Sequence, residues 1–200
     1  MTTFHLVRHA EKASDPDVLT GRAGGVHLTA RGLRQSEQLA RKLAHAGLQR
    51  IFSSPLERAQ QTAAALARAT GLPVEVVDAL TELDWGDWTG RRSSELEGHP
   101  EWFRFNTFRS AARIPGGESF AAVQFRVVEE MLQIRTEVPE GAVALVSHGD
   151  PIKTAVLYFL GLPLDAWMRI EVGIASITTI ELGTNHVRVI ALNEQGDEHP

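Results

Sequence analysis

The sequence predicts an α/β fold, a three-layer sandwich in which helices flank a mainly parallel sheet and a small helical, aromatic excursion covers the ligand site. Three observations lead to it. Short apolar runs at 4–7, 51–52, 74–77 and 143–146 alternate with longer amphipathic or alanine-rich stretches, the order from which parallel sheets with crossover helices are built. Two of those runs end in a histidine, as Leu6-Val7-Arg8-His9 and as Leu145-Val146-Ser147-His148. Between them, residues 78–117 lose the alternation and hold Trp85, Trp88 and Trp102, three of the four tryptophans. Residues 1–200 are expected to form a single domain, with the excursion at about 84–116.

Taken in order, residues 4–7 read as a strand that delivers Arg8-His9 at its exit. Asp15-Pro16 and Gly24-Gly25 make residues 13–26 a loop. Thr29 is the expected N-cap of a helix reaching about Ala46, with Leu28 and Leu33 placed as a hydrophobic staple and Gly47 as the stop. Leu33, Leu39 and Leu43 supply its apolar face. After the second strand, Ser54 is a good N-cap, Pro55 suits the first helical position and Glu57 completes a capping box. That helix should run to Thr70 before Gly71, with Arg58 in its first turn. A helix over 120–136 precedes the strand at 143–146, and Asp150-Pro151 then cap and start a helix reaching Leu160. Residues 174–182 and 187–192 read as strands around Gly183-Thr184-Asn185.

Composition narrows the function classes. A formal net charge of -5 argues against general nucleic-acid binding, although a few arginines can still make a local positive pocket. Without cysteine there is neither a disulfide nor a Cys-ligated metal site. No run approaches a membrane span, and the first residues lack the basic and apolar regions of a signal peptide. A cytoplasmic protein with no nucleic-acid or membrane partner is therefore expected; its oligomeric state is left open.

In parallel sheets, ligands gather beyond the carboxyl ends of the strands. His9 and His148 are both delivered there, beside Arg8 and near Arg58, so a paired-histidine site with two guanidinium groups is expected. Arginines grip phosphoryl oxygens through forked, charge-assisted hydrogen bonds. Their charge should lower the pKa of His9 and keep one ring nitrogen nucleophilic. Such a site suits phosphoryl transfer, where catalysis is largely positioning and charge stabilisation. A leaving alkoxide also needs a proton. Glu82 is a candidate donor if burial beside Trp85 or Trp88 raises its pKa, but Asp84 and Asp87 stand equally near.

These residues carry a resemblance. The chain resembles the histidine phosphatase superfamily, the phosphoglycerate mutase-like group, on its phosphatase branch. The matching segments are Arg8-His9-Ala10-Glu11, Leu28 through Ser36, Ser53 through Thr62, Glu82 through Gly90, Pro115-Gly116-Gly117-Glu118-Ser119 and Ser147-His148-Gly149. They follow the family's order and span nearly the whole chain. The resemblance implies a phosphohistidine intermediate on His9, a phosphate pocket of Arg8, Arg58 and His148, and Glu82 as proton donor. It implies hydrolysis of a small phosphorylated metabolite with no metal and no cofactor. Departures fall at Ala10, where the family usually has Gly, and at Lys12 and Asp15, which replace the usual Thr and Asn on the substrate side. Leu83 stands where mutases of this family resemble one another in an Arg-x-Tyr-Gly sequence.

Two other classes compete. His5, His27, His45, His99, His186 and His199 are scattered without paired ligand spacing, which disfavours a metal-dependent hydrolase. A non-catalytic phosphate-binding or regulatory member has no need of both a nucleophile and an acid. A cofactor-dependent phosphoglycerate mutase is the nearer alternative. Arg91, Arg92, Arg104, Arg109 and Arg113 read as a solvated face balanced by Glu95, Glu97 and Glu101, and Trp102, Phe103, Phe105 and Phe108 as packing of the excursion.

Overall fold

The computed structural model describes residues 1–195; residues 196–200, His199 among them, lie outside the described part. Its strands are β1 (Thr2–Arg8), β2 (Leu48–Ser53), β3 (Val74–Val76), β4 (Gly141–Ser147), β5 (Ser176–Leu182) and β6 (Val187–Gln195). They form one mixed sheet in the order β3-β2-β4-β1-β5-β6. The pairings β1·β4, β2·β4 and β2·β3 are parallel. At the other edge β5 runs antiparallel to both β1 and β6, which makes the sheet mixed. The tight turn between β5 and β6 can join only antiparallel strands.

The helices are α1 (Ala30–Leu43), α2 (Glu57–Thr70), α3 (Ser93–Leu96), α4 (Pro100–Thr107), α5 (Phe120–Glu137) and α6 (Gly149–Phe159). Thr29 caps α1, its hydroxyl accepting from Gly32 N–H. The inward row of α1 is Gly32, Ser36, Leu39, Ala40 and Leu43. Leu33 lies one position, about 100°, off that row and is 49% exposed, so it does not belong to the buried face expected of it. Gly32 itself permits a close approach: a β-carbon there would sit 2.1 Å from the carbonyl oxygen of Glu11.

Two helix starts also differ from expectation. Leu56, not Ser54, occupies the cap position of α2 and makes no side-chain cap bond. The carboxylate of Glu57 instead accepts from Gly25 N–H, tying the first loop to the helix. His148 holds the cap position of α6, so Asp150 lies inside its first turn.

Alternation along the central strands sends side chains to two cores. Phe4, Leu6, Val143 and Leu145 pack with Val127, Met131, Ile134, Ile152 and Val156 of α5 and α6. Val7, Ala144 and Val146 pack with Leu39, Leu43, Ala59, Ala63 and Leu66 of α1 and α2. A third cluster joins the excursion, through Leu83, Trp88, Leu96, Phe105 and Ile114, to Phe120, Val123 and Leu157. Phe105 is buried as expected, but Phe103 and Phe108 are exposed. No helix among the described residues is long and apolar enough to cross a membrane.

Candidate active site

Strand register brings the two histidines together. Arg8 pairs across the parallel β1·β4 ladder with Ser147, so His9 and His148, next in each strand, leave the sheet side by side. Their rings meet edge to face with centroids 5.2 Å apart. Ser53 of β2 pairs with Val146, which brings Ser54 to the same edge, and Arg58 follows in the first turn of α2.

His9 is almost wholly buried and fixed from several sides. Its backbone N–H donates to Ser147 O at 2.9 Å, and its carbonyl accepts from Ala175 N–H at 3.2 Å. On the ring, Nδ1 lies 2.8 Å from the carbonyl oxygen of Ala10. A carbonyl only accepts, which assigns the proton to Nδ1 and leaves Nε2 with a free lone pair in the neutral ring. Burial holds the pKa of His9 well below the usual value, and the charges of Arg58, Arg8 and Lys12 push it further down. The sequence reading had the arginines as the main cause; dehydration is the larger one. The Ala10 methyl is buried among Val7, Ala59 and Ala63, and Ala10 is not among the positive-φ residues, so replacing the usual glycine introduces no backbone strain.

Around His9, four buried nitrogen atoms have no protein partner: Arg8 Nε, Arg58 Nε and Nη1, and His148 Nδ1. Each arginine is meanwhile anchored by another nitrogen. Arg8 Nη1 donates to Val172 O at 2.6 Å, and Arg58 Nη2 donates to Gly21 O at 2.7 Å. Anchored guanidinium groups with spare N–H donors are suited to a tetrahedral oxyanion. His148 Nε2 lies 2.7 Å from Ser54 Oγ, and burial keeps this ring neutral as well, with His9, Arg58 and Arg8 assisting.

Glu82 separates from its acidic neighbours by position. It lines a cleft of about 430 Å³ together with Arg8, Trp85, Gly149, Asp150 and Lys153. Its Oε1 accepts from Leu83 N–H at 2.9 Å. Burial, followed by the nearby Asp150 carboxylate, pushes its pKa up to about 7. Asp84 instead accepts from Gly86 N–H and pairs with Arg22, while Asp87 is exposed.

The two substrate-side candidates part company. Lys12 stays near the site: its Nζ donates to Ser14 Oγ at 2.5 Å and Thr20 Oγ1 at 2.9 Å. Burial and the Arg58 charge lower its pKa to about 8. Asp15 is exposed and forms an ion pair with Arg92 at 2.8 Å. Among the other arginines of the excursion, Arg91 approaches Glu95. Arg109 does not belong to a solvated face. It is buried, stacked on Phe105, Phe120 and Trp167.

Sequence reasoning overlooked Ser54 as a histidine partner, Thr62, whose hydroxyl accepts from Ala10 N–H at 3.1 Å, and the cleft residues Asp150, Lys153 and Trp167. The i, i+4 spacing of Gly149 and Lys153 was the available signal for the last group. Among the described residues, no group of three or more histidines and carboxylates could hold a metal ion.

Known proteins resemble the chain over nearly its whole length. The family model of the histidine phosphatase superfamily (branch 1) matches residues 4–195. Phosphoserine phosphatase 1 of Hydrogenobacter thermophilus is 33% identical over 198 residues, covering 96% of this chain and 92% of the relative. A probable phosphoglycerate mutase GpmB of Enterobacter sp. is also 33% identical, over 90% of this chain and 85% of its own. Among solved structures, phosphoserine phosphatase from Entamoeba histolytica in complex with 3-phosphoglyceric acid superposes with a TM-score of 0.89 at 25% identity, covering 98% of both chains. The chain belongs to branch 1 of the histidine phosphatase superfamily and is an enzyme of the phosphatase type.

Proposed function

We propose that this protein, a single-domain three-layer α/β sandwich, is a metal-independent phosphomonoester hydrolase that acts on a small phosphorylated metabolite in the cytoplasm through a phosphohistidine on His9. The observation that carries the reading is the buried His9 ring, whose Nδ1 is held by Ala10 O beside guanidinium donors that lack protein acceptors. In this reading Arg8, Arg58 and His148 grip the phosphoryl oxygens and neutralise their charge, the work a metal ion would otherwise do. Nε2 of His9 attacks phosphorus as Glu82 gives its proton to the departing alkoxide. Water, relieved of a proton by the Glu82 carboxylate, then releases phosphate and restores both groups.

The mutase-named relative makes phosphoglycerate isomerisation the second reading. Against it stands Leu83, which is fully buried in the cluster beneath the excursion and has no face toward the cleft. The deciding assay follows inorganic phosphate and isomer exchange together, with 3-phosphoglycerate, phosphoserine and p-nitrophenyl phosphate as substrates and a chelator present. Phosphate release that outruns isomerisation and survives chelation is expected. Isomerisation much faster than hydrolysis would replace this reading with the mutase, and loss of activity that zinc restores would replace it with a metallohydrolase.

A further inference from the structure

Lys153 rises from α6 one turn after Gly149, the glycine against which the Arg8 guanidinium packs; a β-carbon on Gly149 would stand 3.3 Å from Arg8 Cζ. Positions four apart on a helix lie on one face, about 6 Å from each other. Lys153 therefore occupies the cleft wall next to the proposed phosphate pocket and on its leaving-group side, where Glu82, Trp85 and Asp150 also line the space.

The surroundings of this ammonium group are unusual. Only 6% of the side chain is exposed, and Nζ sits 3.7 Å from the centroid of the Trp167 ring. The carboxylate oxygen within ion-pair range is Glu171 Oε2 at 3.6 Å, long for a hydrogen bond. Glu171 is itself 69% exposed, so the pair gains little from Coulomb attraction. A buried cation with three donors, a π face beneath it and one solvated partner has capacity for an incoming anion. Asp150 contributes negative charge here, but Arg109, Arg8 and Lys153 all act on it; with Glu82 holding its proton and Glu171 turned to solvent, three cations face this one carboxylate.

We propose that Lys153 determines specificity by receiving the carboxylate of a short-chain, glycerate-sized phosphomonoester, which displaces Glu171 to solvent. The inference rests on the reading of the cleft as a phosphomonoesterase site and narrows its substrate class to phosphorylated acids.

The test compares kcat and KM for 3-phosphoglycerate, glycerol 3-phosphate and p-nitrophenyl phosphate in the wild type, Lys153→Met, Lys153→Arg and Glu171→Gln. The wild type should prefer the carboxylated ester to glycerol 3-phosphate. Lys153→Met should cut that preference 10- to 100-fold, the worth of a charge-assisted hydrogen bond, mainly through KM, and Lys153→Arg should recover part of it. Glu171→Gln removes the competing carboxylate from an exposed position, so it should raise the preference several-fold even if Lys153→Met fails to fold. Equal losses on both esters in Lys153→Met, or an unmoved preference in Glu171→Gln, would overturn the assignment. A wild type that cleaves p-nitrophenyl phosphate without any carboxylate preference would also overturn it while leaving the phosphatase reading intact. Failure to cleave any of the three would remove both.

Discussion

Ser54 Oγ lies 2.7 Å from Nε2 of His148 and accepts the N–H of Leu56 at 3.3 Å. The hydroxyl is fully buried and has no other acceptor among the described residues, so its one proton goes to Nε2. That places the ring proton of a neutral His148 on Nδ1, the atom without a protein partner, ready to donate to a phosphoryl oxygen. Ser54→Ala leaves the ring free to rotate and to change tautomer. We expect kcat to fall about tenfold or more, with a stability loss of about 1–2 kcal/mol for the abandoned buried nitrogen. Parallel kinetics and thermal unfolding measure both; an undiminished kcat would mean that the His148 tautomer does not matter.

Glu82 sets the expected pH dependence. With its pKa at about 7, it is protonated on the acid side and able to donate to an alkoxide. Rates on alkyl phosphomonoesters should therefore fall as pH rises above about 7. Aryl phosphates, whose leaving groups depart without a proton, should fall less. His9 is held below its usual value, so the nucleophile is not lost as pH drops through 6.5. Glu82→Gln should cost 10²–10⁴-fold on alkyl esters and abolish the fall above pH 7. Stability should fall with rising pH as well. A carboxyl whose pKa is raised on folding favours the native state fully below its ordinary value of 4.5 and loses that advantage as pH rises to about 7. At pH 8 the Glu82→Gln chain should be more stable than the wild type by up to about 3 kcal/mol. Denaturant titrations at pH 4 and pH 8 check the sign, and a variant no more stable at pH 8 would refute the raised pKa.

Gly32 offers a test of how the first loop is held. A β-carbon there would collide with the carbonyl of Glu11 at 2.1 Å, and backbone on both sides leaves no flexible tip to move aside. Gly32→Ala should push α1 away from the segment that follows His9, destabilising the fold by about 1–3 kcal/mol and lowering activity through displacement of His9. An unchanged melting temperature would show that α1 can shift without cost.

How much of this was legible in the sequence depended on whether a feature was local. Arg8 and His9, and Ser147 and His148, announce themselves because each pair ends an apolar strand. Parallel register alone then sets them side by side. Glu82 could not be told from Asp84 and Asp87 by position, because the choice rests on which carboxylate the excursion turns toward the cleft. Ser54 was misread as a helix cap: its residue type fits that role, and only the tertiary approach of His148 recruits the hydroxyl. Asp15 was placed on the substrate side, but the distant Arg92 claims it. The turn at Gly183-Thr184-Asn185 announced the β5–β6 hairpin, but the antiparallel pairing of β5 with β1 escaped, because apolar alternation encodes strands without encoding their direction.

The central claim is that Nε2 of His9 takes the phosphoryl group. Rapid quench under alkaline conditions with a ³²P-labelled phosphomonoester, followed by proteolysis and peptide mapping, tests it most directly. We expect an acid-labile, base-stable adduct on the peptide holding His9, formed within the first turnover and absent from His9→Ala. Full turnover by His9→Ala, or label that maps to any residue other than His9, would contradict the account.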